Sequence, residues 1–357
     1  MIKSCYIHIP FCKNICSYCD FCKMYYNKDF IDKYLLSLEK EINLYYKNDL
    51  LNTLYIGGGT PSCLNEISLK KLFKIISIFK LNKTYEFTFE CNIEDINEKL
   101  LIFLKENKVN RISIGLQSFN KKYIEFMNRK YLNKKEITDK INLVKKYFNN
   151  INIDLIYGIN NETLKELQEE VDSFINLDVN HISLYSLILE DNTILKTKKY
   201  KEIDDDLNRK MYDYIRKTLK KNNYIHYEIS NFSKKGYMSK HNLCYWNNDN
   251  YYGFGLGSSG FVDNIRYTNT RSLNSYINGN YRYIKEKIDN KRNMEYEMIL
   301  NLRKIKGISK KKFYKKYNIN IKDVFDVSKL NENKYYFYIP KKYLFVENYI
   351  LCDFILD

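Results

Sequence analysis

Cys12, Cys16 and Cys19 are spaced C-x3-C-x2-C in the stretch Cys-Lys-Asn-Ile-Cys-Ser-Tyr-Cys. They follow Tyr6-Ile-His-Ile-Pro-Phe, which reads as a short strand ending at Pro10. A tight loop of this kind can aim three thiolates at one point, and thiolates are the usual protein ligands of iron–sulfur clusters. Three thiolates on a [4Fe–4S] cluster leave one iron without a protein ligand, open to a substrate or cofactor. Zinc or structural thiols are the competing readings. Zinc usually wants a second Cys or His half, and Cys91, Cys244 and Cys352 are isolated. Spacing by itself leaves cluster and zinc both open.

Further candidates stand at the ends of short apolar runs. Leu54-Tyr55-Ile56 runs into Gly57-Gly58-Gly59-Thr60-Pro61. Glycines there let the backbone approach a ligand closely and offer bare N–H groups, although glycine turns after strands are common. Glu90 is a carboxylate at a strand end, and a solvated loop charge has the same appearance. Asp154 is more specific, because it lies inside Asn152-Ile-Asp-Leu-Ile-Tyr-Gly158. An unpaired carboxylate in an apolar strand is costly, so it needs a donor from the protein or from a ligand. Arg129 is a candidate carboxylate clamp, though a surface arginine is the commoner finding. His241-Asn-Leu-Cys-Tyr-Trp246 sets an imidazole beside flat aromatic surface. A lone histidine in such a stretch is more often structural than a ligand.

The elements that must position these groups follow from periodicity. Ile31, Tyr34, Leu35, Leu38, Ile42 and Tyr45 recur at helical spacing over 28–46. Further helices are expected over 68–79, 100–107, 135–148 and 164–175, with strands over 54–56, 85–91, 111–116, 151–157 and 181–188. Strand and helix alternate six times over residues 4–190. That rhythm predicts an α/β fold with a parallel sheet, a six-unit partial (β/α) barrel. Functional groups of such barrels sit past the carboxyl ends of the strands, and the candidates track those ends. Cys12 to Cys19 follow strand one, Gly57 to Pro61 strand two, and Glu90 closes strand three. Gln117 follows strand four, Asp154 lies on strand five, and Ile188 ends strand six. Beyond residue 200 the rhythm changes to an acidic-capped helix reaching about 221, then strands and turns over 227–260. Later come helices near 295 and 309 and a β-like pair over 335–346. The expected division is a barrel over 1–195, a connecting region with the His241–Trp246 segment over 196–290, and a small α+β domain over 291–357.

Composition narrows the class. The chain has 357 residues, 45% hydrophobic and 29% charged, in the ordinary range for a globular protein. No apolar run reaches the about 18 residues that a spanning helix needs, and no signal peptide is visible. Nine cysteines without a paired pattern point to a reducing compartment, hence a cytoplasmic protein. The net charge of +16 is spread along helical faces and accompanies abundant Lys, Asn, Ile and Tyr, so it reads as compositional bias rather than a nucleic-acid surface.

The C-x3-C-x2-C loop, with Tyr18 before its last cysteine, resembles the radical S-adenosylmethionine (SAM) superfamily. The resemblance implies that the open iron chelates the amino and carboxylate groups of SAM, and that cluster reduction cleaves SAM to methionine and a 5'-deoxyadenosyl radical. More narrowly, the chain resembles the oxygen-independent coproporphyrinogen III oxidase-like (HemN/HemW) branch. The motifs are Tyr6-Ile-His-Ile-Pro-Phe-Cys, Gly-Gly-Gly-Thr-Pro-Ser, Ser-Ile-Gly-Leu-Gln-Ser-Phe, Asp-Leu-Ile-Tyr-Gly and the C-terminal tail. The resemblance implies cluster ligands at Cys12, Cys16 and Cys19. It implies SAM contacts at Tyr6, Tyr18, Gly58, Gly59, Thr60, Glu90, Gln117, Arg129, Asp154 and Ile188.

Within that branch, oxidases carry a fourth cysteine as C-x-C after the third; here Phe21 holds the position, with Cys22 one place later. The long N-terminal arm of the oxidases is also missing, since only 11 residues precede Cys12. His241, Tyr245 and Trp246 match the H-N-x-x-Y-W motif of the heme-chaperone members, which makes them heme candidates. Ser259 stands where those members usually have histidine, which is closer to the oxidase pattern. The resemblance therefore implies a heme chaperone that binds a [4Fe–4S] cluster, SAM and heme. The alternative is a coproporphyrinogen III dehydrogenase, so whether the chain is an enzyme stays open. Implied partners are heme, a heme-accepting protein and an electron donor for the cluster. Transient membrane contact without a spanning segment is compatible, and nucleic acid is not expected.

Overall fold

The computed structural model describes residues 1–356. Six strands form the centre of one sheet: β1 (Ser4–Ile9), β2 (Leu50–Gly58), β3 (Lys80–Asn92), β4 (Arg111–Gln117), β5 (Ile151–Tyr157) and β6 (His181–Ser186). They lie side by side in sequence order, every neighbouring pair parallel. Parallel neighbours need a crossover, and helices supply it: α1 (Lys28–Tyr45), α2 (Glu66–Ile76), α3 (Glu98–Glu106), α4 (Lys134–Tyr147) and α5 (Leu164–Asn176).

Local signals explain these helices. The side chain of Asn27 accepts from the Phe30 N–H at the start of α1, and α4 and α5 open on capping boxes, Asn133 with Glu136 and Thr163 with Glu166. Each cap satisfies backbone donors that the helix itself leaves free. Ile31, Tyr34, Leu35, Leu38 and Ile42 then bury one face of α1 against the sheet. Each such side chain contributes about 1.5–3 kcal/mol, so a charge at Leu38, which is fully buried, would undock the helix.

The segment expected to connect two domains supplies both outer edges of the main sheet. After α6 (Asp205–Lys221), β7 (Ile225–Glu228) and β8 (Asn231–Ser233) add antiparallel strands beyond β6, and β9 (Tyr252–Phe254) pairs parallel with β1. The sheet order is β9-β1-β2-β3-β4-β5-β6-β8-β7. β10 (Ser259–Val262), β11 (Ile265–Asn269) and β12 (Arg282–Lys287) form a separate antiparallel sheet.

Two expectations are corrected. Residues 241–246 are not strand or turn but the helix α7 (Lys240–Trp246), capped by the Ser239 side chain accepting from the Asn242 N–H. Of the β-like pair over 335–346, Tyr336–Tyr338 is a strand, whereas Lys341–Val346 is a 3-10 helix following Pro340. The C-terminal part opens with α8 (Asn290–Leu302) and docks on the β7 edge. There the Ile229 N–H donates to Arg303 O at 3.2 Å and the Ile305 N–H to Tyr227 O at 3.1 Å. Among the described residues no helix is long and apolar enough to cross a membrane.

Candidate functional site

Strand side chains alternate between two faces. On the central strands the outward set, such as Ile7, Ile56, Phe89, Ile114 and Ile153, is apolar and fully buried. The other face is polar. Parallel register aligns Tyr6 with Tyr55, Tyr55 with Thr88, and Thr88 with Arg111. Toward the carboxyl ends it aligns Glu90, Ser113, Asn152 and His181, then Asn92, Gly115, Asp154 and Ser183. Hydrogen bonds tie these rows together. Asn152 Nδ2 donates to Ser113 Oγ at 2.9 Å and to Asp154 Oδ1 at 2.8 Å, and His181 Nδ1 lies 2.6 Å from Asn152 Oδ1.

A cavity of about 390 Å³ opens on this polar face, within the size range of small-molecule sites. Cys12, Cys16 and Cys19 line it, as do Tyr18, Gly58, Gly59, Thr60, Glu90, Gln117, Arg129, Asp154 and Ile188. The fold therefore brings together the three cysteines and all but one of the expected SAM contacts. Tyr6 is the exception. Its hydroxyl donates to His8 Nδ1 at 3.0 Å, and His8 Nε2 donates to the Cys22 carbonyl at 2.6 Å. Tyr6 thus acts on the cysteine loop through His8, and burial lowers the His8 pKa to about 4, so the ring is neutral.

The cysteine loop is held from several sides. Ser17 N–H donates to Met127 O at 3.1 Å, and Thr60 Oγ1 lies 3.6 Å from Cys12 Sγ. The Arg129 guanidinium reaches Cys16 Sγ at 3.7 Å and Tyr18 OH at 3.5 Å while donating to Asn92 Oδ1 and Gly115 O at 3.0 and 2.9 Å. It joins the loop to β3 and β4. Among the described residues no three His, Cys, Asp or Glu side chains are already drawn to one metal-binding point. The donor set nonetheless fits a cluster: three thiols on one wall with a cation beside them. The Gly59 backbone presses so close that a Cβ there would lie 2.9 Å from Cys12 Sγ. Gly58 has a left-handed φ of +117°, and a side chain there would strike the His8 ring.

The acids deeper in the cavity are shaped by burial. Glu90 accepts from Tyr55 OH at 2.6 Å and from the Gly58 N–H at 3.0 Å. Burial, against those bonds and with help from Asp154, raises its pKa to about 7. Burial also raises that of Asp154, opposed by the bonds from Asn152 and Ser183. Gln117 adopts a left-handed φ of +72°, rare without glycine, and its buried Oε1 has no partner. Two carboxylates and a free amide oxygen are acceptors for a ligand rich in hydroxyl and amino donors.

The heme candidates lie elsewhere. His241 is buried beneath the cavity, with Nδ1 bonded to Thr53 Oγ1 and Nε2 to Tyr245 OH, each at 2.8 Å. Both ring nitrogens are occupied, and burial lowers its pKa to about 3. Glu86 accepts from the Lys240 and His241 N–H groups at 3.1 and 3.0 Å, a carboxylate at the positive end of α7. This helix closes the floor of the sheet's polar face, and from it Asn242 reaches the cavity lining. The Trp246 ring lies against the Arg303 guanidinium at 5.1 Å. Ser259 is exposed and bonds to Thr268 Oγ1 at 3.0 Å.

Residues missed from the sequence include Tyr55, Arg111, Ser113, Asn152 and Ser183, all lining the cavity. Their signal was alternation: Arg111-x-Ser113-x-Gly115, Asn152-x-Asp154 and His181-x-Ser183 each place polar groups on one face.

A profile of the Radical SAM superfamily matches residues 6–174. The chain is 38% identical over 332 residues to the heme chaperone HemW of Lactococcus lactis subsp. lactis (strain IL1403), covering 90% of this chain and 87% of that protein. It is 38% identical over 339 residues to the heme chaperone HemW of Bacillus subtilis (strain 168), covering 91% and 89%. The solved structure of coproporphyrinogen III oxidase (HemN) from Escherichia coli, a radical SAM enzyme, matches with a TM-score of 0.86 over 99% of this chain and 90% of that one. At 19% identity that likeness concerns the fold. Fold and site together define a radical SAM protein, a class that implies a [4Fe–4S] cluster and SAM. Within that superfamily the chain belongs to the HemW family.

Proposed function

We propose that the protein is a heme chaperone, binding heme as cargo and delivering it to a hemoprotein. The observation that carries this reading is its near full-length similarity to two heme chaperones. In this reading Cys12, Cys16 and Cys19 hold the cluster, with Arg129 fixing the loop. Gly58, Gly59 and Thr60 bring backbone up to the methionine end of SAM, while Glu90, Gln117 and Asp154 accept hydrogen bonds from its hydroxyl and amino groups. The chemistry supplied by cluster and SAM together is reductive formation of a 5'-deoxyadenosyl radical. The oxidase pattern's fourth cysteine is replaced by Phe21, an exposed residue, which favours the chaperone over the oxidase.

As the floor stands, His241 has no lone pair to offer an iron, so ligation through it requires α7 to leave Thr53 and Glu86. The deciding experiment is anaerobic reconstitution followed, on one sample, by heme titration and a coproporphyrinogen III turnover assay. The chaperone reading expects stable heme binding without turnover. SAM-dependent decarboxylation of the porphyrinogen would replace it with the oxidase reading.

A further inference from the structure

α7 is a seven-residue helix of which His241 and Cys244 are buried, so no broad apolar face fixes it. It stands between two cavities. Asn242 lines the one that holds the cysteines. Lys240, Cys244 and the capping residue Asn247 line a second cavity of about 610 Å³, together with Thr53, Phe261 and Asn293. A helix with open space on two sides has to be held by its ends. Glu86 holds the amino end. The carboxyl end is held from the C-terminal part, by the two residues that follow α8. Lys304 Nζ donates to Asn247 Oδ1, and to Asn301 Oδ1 at 2.7 Å. The Arg303 guanidinium lies over the Trp246 ring and reaches Glu347 Oε1 and Asn348 Oδ1, each at 3.3 Å. Cations suit the carboxyl end of a helix. Both side chains reach α7 from a fixed base, because the β7 edge bonds Arg303 O and the Ile305 N–H.

We propose that α7 is a gate between the two cavities, held shut by Lys304 and Arg303, and that its opening presents His241 to the iron of the cargo heme. The inference rests on the heme-chaperone reading. In the shut position the imidazole spans Thr53 Oγ1 and Tyr245 OH. Tyr245 is on α7 and moves with it, whereas Thr53 belongs to β2. Opening parts α7 from Glu86 and Nδ1 from Thr53, while Nε2 keeps its bond to Tyr245 OH. The Nδ1 lone pair is then free for iron, to which imidazole is a common axial ligand. Segments held by few contacts open locally without unfolding the rest, and here the contacts that decide opening are charged hydrogen bonds from outside the barrel.

The test compares the full chain as wild type, Lys304→Met and Lys304→Arg. Hydrogen exchange of the heme-free proteins is read first, by mass spectrometry. In Lys304→Met the α7 amides should exchange about tenfold faster or more, as loss of one charged hydrogen bond allows. The central strands should exchange as in wild type, and Lys304→Arg should restore α7. Hemin is then added. Lys304→Met should take it up about tenfold faster than wild type, the same factor as the gate opening, and with an imidazole-ligated spectrum that is lost in Lys304→Met/His241→Ala. A damaged fold would not give faster uptake that depends on His241. Unchanged α7 exchange, or faster exchange with hemin uptake and spectrum unchanged, would overturn the inference and leave the proposed function standing. A wild type and variants that all fail to bind hemin would overturn both. Should Lys304→Met fail to fold, Asn247→Ala removes the same bond from the α7 side, and the same two readouts decide.

Discussion

Glu90 and Asp154 are acceptors at the ends of strands whose other face is apolar, and their protonation governs what they can hold. Glu90 has a pKa of about 7 before any ligand arrives, and only its carboxylate form accepts two donors at once. SAM affinity should therefore rise as pH increases through 7, and the rise should vanish in Glu90→Gln. Losing one charged hydrogen bond costs about 1.5–3 kcal/mol, roughly ten- to a hundredfold in Kd; Glu90→Gln and Asp154→Ala should each show that loss by calorimetry. Affinities unchanged in both would return these acids to a purely structural role. At the loop, replacing Cys12, Cys16 or Cys19 by Ala should abolish the iron and sulfide content of anaerobic preparations. Cys22→Ser should retain it, because the Cys22 side chain packs against Gly257 and only its carbonyl serves the loop, through His8. Stoichiometric zinc without sulfide would refute the cluster.

At the scale of elements, α7 is short, and its position depends on a few polar contacts rather than on a broad apolar face. Glu86 anchors its first turn, and His241 bridges Thr53 and Tyr245. His241→Ala leaves a cavity and strands two hydroxyls in the interior, a loss of about 2–4 kcal/mol. A lowered Tm with iron and sulfide content intact is the expected result. If His241→Ala instead shifts the Soret band of bound heme while Tm holds, α7 opens to release a ligand and its floor role is secondary.

Over the whole molecule, buried titratable groups set the response to pH. Burial raises Glu90, Glu162 and Glu228 to about 7 and Glu347 to about 8, from an ordinary 4.5. Between 4.5 and those values the folded chain binds protons that the unfolded chain does not, so stability falls as pH rises through 7 and 8. Burial lowers all four histidines, His8 and His226 to about 4, His241 to about 3 and His181 well below the ordinary 6.5. There the unfolded chain binds the extra protons, so stability falls as pH drops below 6.5. The two sets oppose each other between 4.5 and 6.5 and act alone outside that window. Scanning calorimetry of the apo chain should show a broad maximum there and a lower Tm at pH 8.5 than at pH 6. Glu347 is opposed only in part by Arg303, 3.3 Å away, so Glu347→Gln should narrow that difference. A Tm that climbs from pH 6 to 8.5 would contradict the assignment.

The strand–helix alternation, the cysteine spacing and the glycine run are local signals, and they pointed to the fold class and to a rim of candidate groups before any contact was known. Gln117 and Ile188 could be placed at the rim because barrel geometry sends strand ends there, whereas Tyr18 and Arg129 entered as SAM contacts only through the family resemblance. What tertiary structure decided was contact. Tyr6 lies on a strand next to the site, yet its hydroxyl is taken by His8, two residues along the same strand, whose ring the Cys22 carbonyl, 14 residues on, holds in place. His241-Asn-Leu-Cys-Tyr-Trp246 lacks helical apolar spacing, and it folds as a helix because Glu86, far away in sequence, joins the local Ser239 cap in meeting its first N–H groups. Arg111 looked like the polar start of a strand. Its burial depends on six strands curling around one space, and no local pattern encodes that enclosure.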